Sequence, residues 1–166
     1  MRSTAEDDPA PGRRPTVCVD LDSTLADTRH RRHLVDPANP DWRTYSLAAG
    51  ADRPIEGPIE LVRLLAQTCS IVILSARDEA SRSLTEEWLR RHDVPHDGLI
   101  LYRDGMDPTD LGEYKSLKVR GMRADGHRVV LVVEDAPAVA DAVRSTGVPV
   151  LLLTPPSDEP PGPANG

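Results

Sequence analysis

The sequence of 166 residues contains no Phe, and aromatic residues make up only 3% of it. A core in this chain must therefore consist mostly of Leu, Val, Ile and Ala. Long hydrophobic runs are also absent, since stretches such as VVLVV at 129–133 are far too short to span a bilayer. The N-terminal stretch MRSTAEDDPAPGRRP lacks the apolar segment of a signal peptide. We therefore expect a cytoplasmic protein that does not associate with membranes.

Cysteine and net positive charge are scarce as well. Cys18 and Cys69 are the only cysteines, and no CxxC spacing indicates a metal site, so we expect two buried, reduced thiols. The formal net charge is -7 and the isoelectric point is about 5.2, which argues against strong binding to a nucleic-acid duplex. One basic stretch, RHRRH at 29–33, departs from this acidic average.

The chain divides into two tails and one central domain at 15–154. Residues 1–14 and 155–166 are polar and contain much Pro or Gly, so we expect both tails to be disordered. Apolar runs predict strands at about 16–21, 70–74, 98–102, 128–133 and 148–153. Amphipathic patterns predict helices at about 57–68, 78–92, 110–123 and 135–146, with Trp88 on the core side of the second helix.

This alternation predicts an α/β fold with a Rossmann-like parallel sheet and helices on both faces, because apolar strands separated by helices are typical of buried parallel sheets. Ligands of such sheets bind at the carboxyl ends of the strands. Polar groups follow three of the strands: DLDST at 20–24, SAR at 75–77, and the pair Glu134 and Asp135. The helix at 110–123 adds Lys115 and Lys118, the only lysines among the 20 basic residues.

Most of these features have an ordinary structural explanation when taken alone. An acidic pair before a helix commonly caps it, and a Ser after a strand is a common turn residue. Asp20 and Asp22 are harder to explain, because carboxylates beside a buried strand are costly unless a cation or a reaction requires them. Lys115 and Lys118 lie one helical turn apart, and the residues alone allow either of them to reach the sheet edge.

Taken together, the residues predict phosphoryl transfer through an aspartyl-phosphate. One carboxylate of DLDST would attack phosphorus, and the second would protonate the leaving oxygen and later deprotonate the attacking water. The acidic pair on the other strand would help to hold Mg²⁺, which prefers oxygen ligands. A hydroxyl and a lysine would neutralise the phosphoryl oxygens as charge develops.

These motifs resemble those of the haloacid dehalogenase (HAD) superfamily of phosphatases. Four of them match in order: DLDST at 20–24, LSARD at 74–78, Lys115 in DLGEYKSL, and VVEDA at 132–136. The resemblance implies that Asp20 is the nucleophile and Asp22 the general acid/base of a phosphate-ester hydrolase. The phosphate-binding residues that it implies are Thr24, Ser75 and Lys115. The implied Mg²⁺ ligands are Asp20, Asp22 through its backbone carbonyl, Asp135 and Glu134.

A narrower resemblance is to the 3'-phosphatase domain of polynucleotide kinases and its stand-alone relatives. The stretches LADTRHRRHL, DWRTY, DRPIEG and SARDE carry it, and it implies that Arg77 is a further phosphate contact. Those relatives often carry an Arg in the last motif where this chain has Ala136. Only a small cap-like insertion, at about 28–56, follows the first motif. We therefore expect an open site that admits a phosphorylated substrate such as a nucleic-acid 3'-phosphate end or a nucleotide.

Several other functions remain open at this stage. A nucleoside 5'-monophosphate or sugar-phosphate phosphatase would fit the acidic surface, and a degenerate HAD protein would bind a partner without using the retained Asp20 and Lys115. A receiver domain is excluded by the order of the motifs. Arg29, Arg31 and Arg32 would either contact neighbouring phosphates or form a solvated helix face. No GxxxxGK[ST] motif is found, so we expect any 5'-kinase partner to be a separate chain.

Overall fold

The computed structural model describes residues 14–35, 38–102 and 110–155, and the predicted disordered tails lie almost entirely outside them. The described strands are β1 (Thr16–Val19), β2 (Ala26–Asp27), β3 (Arg53–Pro54), β4 (Ser70–Asp78), β5 (Gly98–Tyr102), β6 (Val129–Glu134) and β7 (Val150–Leu152). The described α-helices are α1 (Trp42–Leu47), α2 (Glu56–Leu65), α3 (Arg82–Arg91), α4 (Leu111–Ala124) and α5 (Pro137–Arg144).

Five strands form one parallel sheet in the order β5-β4-β1-β6-β7. β1 lies at its centre, where Val17 is opposite Ile71 of β4 on one side and Leu131 of β6 on the other. Every pairing in this sheet is parallel, which confirms the predicted Rossmann-like α/β fold. β2 and β3 form a separate antiparallel pair that no sequence pattern predicted, since each is only two residues long.

Helices cover both faces of the sheet. Successive side chains of a strand point to opposite faces, and both faces carry apolar side chains that the helices bury. Val17 and Val19 lie in one core together with side chains of α2 and α3, whereas Cys18 lies in a second core with side chains of α4 and α5. The predicted core position of Trp88 is confirmed. Its ring is fully buried, and its Nε1 donates to the carbonyl oxygen of Asp52 at 2.8 Å.

The predicted element boundaries differ from the structure mainly at the end of β4. This strand continues to Asp78 rather than ending at 74, and α3 begins at Arg82 rather than at 78. After a shift in register, Asp78 pairs with Tyr102 of β5, and this pairing extends the strand. The stretch SARD at 75–78 therefore forms the end of the strand itself, and its side chains lie at the carboxyl edge of the sheet.

The segment predicted as a small cap-like insertion, at 28–56, is mostly helical. It contains 3-10 turns at Arg29–Leu34 and Ala48–Ala51 with α1 between them, and β3 follows. Its assignment as a cap stays a prediction.

The two cysteines are buried free thiols, as predicted. Within 14–35, 38–102 and 110–155, no helix has the length and apolar character needed to cross a membrane. The cytoplasmic location stays a prediction.

Candidate active site

Asp20 follows β1 directly, at the carboxyl edge of the sheet. Its backbone N–H donates to the carbonyl oxygen of Val133 in β6 at 2.9 Å, so the neighbouring strand fixes the start of the next loop. In that loop the backbone N–H groups of 24, 25 and 26 converge on the carbonyl oxygen of Leu21. Thr24 is thereby turned back toward the sheet. Its hydroxyl donates to Oδ2 of Asp20 at 2.8 Å and lies 3.3 Å from Oδ1 of Asp135.

Lys115 is buried between two carboxylates. Its Nζ lies 2.5 Å from Oδ1 of Asp20 and 2.7 Å from Oε2 of Glu134. Burial alone would lower the pKa of Lys115, but the charges of Asp20 and Glu134 raise it above its ordinary value. The ammonium therefore stays charged beside the predicted nucleophile.

Lys118 lies elsewhere on α4. Its Nζ is 5.6 Å from the centroid of the Tyr114 ring, and it does not line the pocket that contains Asp20. The structure thus brings Lys115 to the sheet edge and leaves Lys118 away from it, an alternative that the residues alone left open.

Asp20, Glu134 and Asp135 form a carboxylate cluster in which one oxygen of each lies within 4.8 Å of the others. Burial raises the pKa of Asp20 and of Asp135, and the charge of Glu134 raises both further. A divalent cation would offset this repulsion where the single ammonium of Lys115 does so only in part, and oxygen ligands suit Mg²⁺. The donor set therefore fits the predicted metal. The predicted role of the Asp22 backbone carbonyl as a further ligand stays a prediction.

Asp22 lies in a different electrostatic environment, because two arginines hold it. Its Oδ1 accepts hydrogen bonds from Nη2 of Arg31 at 2.7 Å and from Nε and Nη2 of Arg77 at 2.9 and 2.6 Å. Burial by itself would raise the pKa of Asp22, but the guanidinium groups of Arg77 and Arg31 hold it below its ordinary value. Asp22 is therefore a carboxylate at neutral pH, whereas Asp20 is pushed toward protonation.

Asp52 is a residue of the site that the sequence did not single out. Its side chain is fully buried just before β3, and its Oδ2 lies 2.7 Å from Nη2 of both Arg31 and Arg77. Its Oδ1 accepts a hydrogen bond from Nε of Arg31 at 2.7 Å and lies 2.8 Å from Nε2 of His30. Asp52 thus fixes both arginines against Asp22. The stretch DRPIEG was the available signal, but nothing in it marks Asp52 as the partner of distant arginines.

The interpretation of 29–33 as a solvated helix face is wrong for Arg31. Its side chain is only 1% exposed, and its guanidinium carbon lies 3.9 Å from the centroid of the Tyr45 ring. Arg29 and Arg32 are exposed, and Arg29 pairs with Asp27 at 2.6 Å. The three-residue turn of the 3-10 segment explains the difference, since residues 29 and 32 share one face of it and residue 31 lies on another.

The site opens onto one pocket of about 280 Å³. Its lining includes six predicted site residues and three aromatic residues: Asp20, Asp22, Arg77, Lys115, Glu134, Asp135, Trp42, Tyr45 and Tyr102. The two predicted hydroxyl residues, Ser75 and Thr24, do not line it. Ser75 is fully buried, and its hydroxyl accepts a hydrogen bond from the backbone N–H of Arg77 at 3.2 Å. A direct contact of either hydroxyl with phosphate stays a prediction.

Comparison with protein families agrees with this arrangement. The family model of the polynucleotide kinase PNKP phosphatase domain matches residues 14–155. The chain belongs to this family of HAD phosphatases. The membership predicted from the four motifs is thus confirmed, and with it the prediction that the chain is a phosphatase. Comparison with curated protein sequences found no match.

Solved structures share the fold of this HAD phosphatase. A chain of the Pnkp1/Rnl/Hen1 complex matches with a TM-score of 0.69 and 20% identity, over 93% of this chain and 51% of that chain. A HAD hydrolase from Bacillus subtilis bound to magnesium matches with a TM-score of 0.57 and 13% identity, over 92% and 91%. A HAD family enzyme from Bacteroides thetaiotaomicron, in complex with magnesium and inorganic phosphate, matches with a TM-score of 0.50 and 8% identity, over 91% and 98%. This chain spans about half the length of the matching chain of the Pnkp1/Rnl/Hen1 complex.

Proposed function

We propose that this phosphatase depends on Mg²⁺, carries the phosphoryl group on Asp20, and removes phosphate from the 3' end of a nucleic acid. One observation carries the proposal. Asp20 and Asp22 open onto the same pocket, the first beside a lysine and two further carboxylates, the second between two arginines. The two neighbouring carboxylates thus lie in different electrostatic environments, as expected if they have different roles in one reaction.

Asp20 is suited to the attack because its direction is fixed before substrate enters. Lys115 holds its Oδ1, and the hydroxyl of Thr24 holds its Oδ2. Attack forms a bond from the carboxylate oxygen to phosphorus, and the bond from phosphorus to the leaving oxygen breaks. Lys115 would stabilise the charge that develops on the phosphoryl oxygens, since its ammonium already lies at the attacking carboxylate.

Asp20 and Asp135 would hold the metal ion directly. When bound, Mg²⁺ would neutralise charge shared by the carboxylates and the phosphate and act as a Lewis acid toward a phosphoryl oxygen. Glu134 has both oxygens engaged, one with Lys115 and the other with the backbone N–H groups of Asp135 and Ala136. We assign to Glu134 the support of Lys115 and Asp135, because it accepts hydrogen bonds from the side chain of the first and from the backbone N–H of the second. The magnesium bound by the two bacterial HAD relatives supports this choice of ion.

Asp22 would transfer protons in both half-reactions. In the free protein Arg31 and Arg77 keep it ionised. A phosphate dianion in the pocket would compete for these guanidinium groups, and its charge would raise the pKa of Asp22. Protonated Asp22 then donates to the leaving oxygen, and the resulting carboxylate takes a proton from the water that attacks the aspartyl-phosphate. Free phosphate leaves, Asp20 is restored, and Asp22 carries its proton again.

The nucleic-acid substrate is supported by the family to which the chain belongs, whose model describes a polynucleotide kinase phosphatase domain. It is also supported by the small size of the segment at 28–56, which consists of α1, two 3-10 turns and β3. A segment of this size is short in comparison with a folded cap domain. A pocket beside it is therefore suited to the end of a long strand.

A panel of substrates tests the proposal. Phosphate release would be measured with Mg²⁺ on oligonucleotides carrying a 3'-phosphate, on the same oligonucleotides carrying a 5'-phosphate, on nucleoside 5'-monophosphates and on sugar phosphates. We expect the highest kcat/KM for the 3'-phosphate. A preference for free nucleotides or sugar phosphates would overturn the substrate, and Asp20→Asn serves as the control that should release no phosphate from any of them.

A further inference from the structure

The chain is poor in aromatic residues, yet its active-site pocket is not. The whole sequence contains two Trp, three Tyr and no Phe. Trp88, Tyr102 and Tyr114 belong to the two cores. Trp42 and Tyr45 belong to neither core, and both line the pocket, which Tyr102 also lines from the second core. Packing of the two cores therefore does not explain Trp42 and Tyr45, and their position in the pocket points to a ligand.

Trp42 is the exposed member of this group. It is the first residue of α1, and 46% of its surface is exposed, whereas the other tryptophan of the chain is fully buried. Its ring meets that of Tyr45 with the centroids 5.9 Å apart and the planes at 82°. Such an edge-to-face contact leaves at least one face of the Trp42 ring uncovered by Tyr45.

A chain of contacts connects this exposed ring with the chemistry. Tyr45 is held by the guanidinium of Arg31, which lies 3.9 Å from the ring centroid. Arg31 in turn binds Asp22 at 2.7 Å. The Trp42 ring therefore contacts a residue, Tyr45, that is held by the same arginine as the proton-transfer group.

We propose that Trp42 stacks on the base of the nucleotide that carries the phosphate, so that the enzyme selects ends with an unpaired base. This inference rests on the proposed function and narrows its substrate class. Aromatic faces beside a phosphate site bind unpaired bases of any sequence, because every base presents a π-face.

The test compares two 3'-phosphorylated oligonucleotides that differ only at the terminal nucleotide, which carries a base in one and is abasic in the other. We expect wild-type kcat/KM to favour the base by roughly 5- to 150-fold, the scale of one stacked base. Trp42→Ala should reduce this ratio to near one, mainly through KM, and Trp42→Tyr should restore part of it. Leu47→Ala is the matched control, since Leu47 is equally exposed at 46% on the same helix but does not line the pocket. It should keep the wild-type ratio.

The inference would be overturned if Trp42→Ala kept the wild-type preference for the base-bearing end. It would also be overturned if the wild-type enzyme hydrolysed both ends with a kcat/KM ratio near one. Failure of the proposed function looks different: neither 3' end is hydrolysed, while free nucleotides are. In that case the kcat/KM ratio between a nucleoside 5'-monophosphate and ribose 5-phosphate, in wild type and in Trp42→Ala, tests whether Trp42 stacks on a base.

Fluorescence gives a readout that does not depend on turnover. Because Trp88 is fully buried, quenching by a ligand in the Asp20→Asn variant reports on Trp42. The base-bearing oligonucleotide should quench and the abasic one should not. Equal quenching by both would overturn the inference.

Discussion

Nζ of Lys115 lies 2.5 Å from Oδ1 of Asp20, and the two side chains are only 4% and 7% exposed. This buried pair joins α4 to the end of β1. It places a cation at the carboxylate that, in the proposed mechanism, attacks the phosphoryl group. The pair explains why a lysine occupies this position in a chain whose basic residues are mostly Arg: a compact ammonium fits between Asp20 and Glu134, where a planar guanidinium would need more room.

Replacement of Lys115 should remove most of the activity. Lys115→Ala is expected to lower kcat/KM by roughly 10²–10³, the scale of one lost contact with transition-state charge. Steady-state phosphate release from a 3'-phosphorylated oligonucleotide measures the change. Lys118→Ala is the control and should stay within about threefold, as for a surface substitution. If Lys118→Ala proved the more damaging change, the assignment of the third motif would be wrong.

Replacement of each aspartate of the first motif should impair activity in a different way. Asp20→Asn removes the nucleophile, so turnover should be lost with every substrate. Asp22→Asn removes the proton donor, so kcat/KM should fall more for alkyl phosphates with poor leaving groups than for activated aryl phosphates. The ratio of kcat/KM for the two substrate types measures this difference. Equal losses of Asp22→Asn on both types would contradict the role of Asp22.

Removal of metal should abolish activity. The cluster of Asp20, Glu134 and Asp135 concentrates negative charge where a phosphate must bind, so excess EDTA should stop phosphate release and added Mg²⁺ or Mn²⁺ should restore it. Ca²⁺ should inhibit, because its larger and looser coordination shell misplaces the attack geometry. Turnover that continues undiminished in EDTA would refute the metal assignment.

Asp52 should matter for stability as well as for activity. Asp52→Ala leaves Arg31 and Arg77 without a fully buried partner, which should cost about 3–5 kcal/mol in the free energy of unfolding. Urea denaturation measures this cost. Asp141→Ala removes the partner of Arg144 in an exposed pair, where Asp141 is 77% exposed, and should cost under about 0.5 kcal/mol. Similar losses of unfolding free energy in both variants would show that the buried contacts of Asp52 with Arg31 and Arg77 do not stabilise the fold more than an exposed ion pair does.

The lowered pKa of Asp22 predicts a pH dependence of stability. Its contribution is fully present above the ordinary value of 3.8 and is lost as the pH falls through the lower value of the folded state. The difference in unfolding free energy between wild type and Asp22→Asn should therefore be constant near neutral pH and shrink in acid below that ordinary value. Urea titrations over this range test it. A difference that does not change with pH would contradict the ion pairs of Asp22.

Sequence patterns predicted the features that local residues determine. The apolar runs of β1 and β6 indicated buried strands, and the polar residues after them, Asp20 and Asp135, indicated the edge of the sheet where we expected a ligand. Parallel pairing of buried strands then brought these residues together. The family resemblance rests on the same motifs, so the residue patterns and the resemblance predicted the same fold and the same residues at the sheet edge.

The arginine network could not be predicted in this way. Arg31, Asp52 and Arg77 lie in three separate segments of the chain, and ion pairs between distant segments leave no periodic signal in any of them. A basic run such as RHRRH usually faces solvent, and only the 3-10 turn rotates Arg31 inward. Trp42 was likewise unremarkable in sequence, since its exposure beside the pocket follows from where α1 packs.

Detection of the phosphoenzyme tests the central claim most directly. The enzyme would be mixed with a 3'-phosphorylated oligonucleotide and Mg²⁺, quenched in acid at short times, and analysed by mass spectrometry of its peptides. We predict one added phosphoryl group on Asp20 that appears before free phosphate, accumulates in Asp22→Asn with an activated substrate, and is absent from Asp20→Asn. Phosphate release by Asp20→Asn at the wild-type rate, or a phosphoryl group on a different residue, would contradict the assignment of Asp20 as the nucleophile.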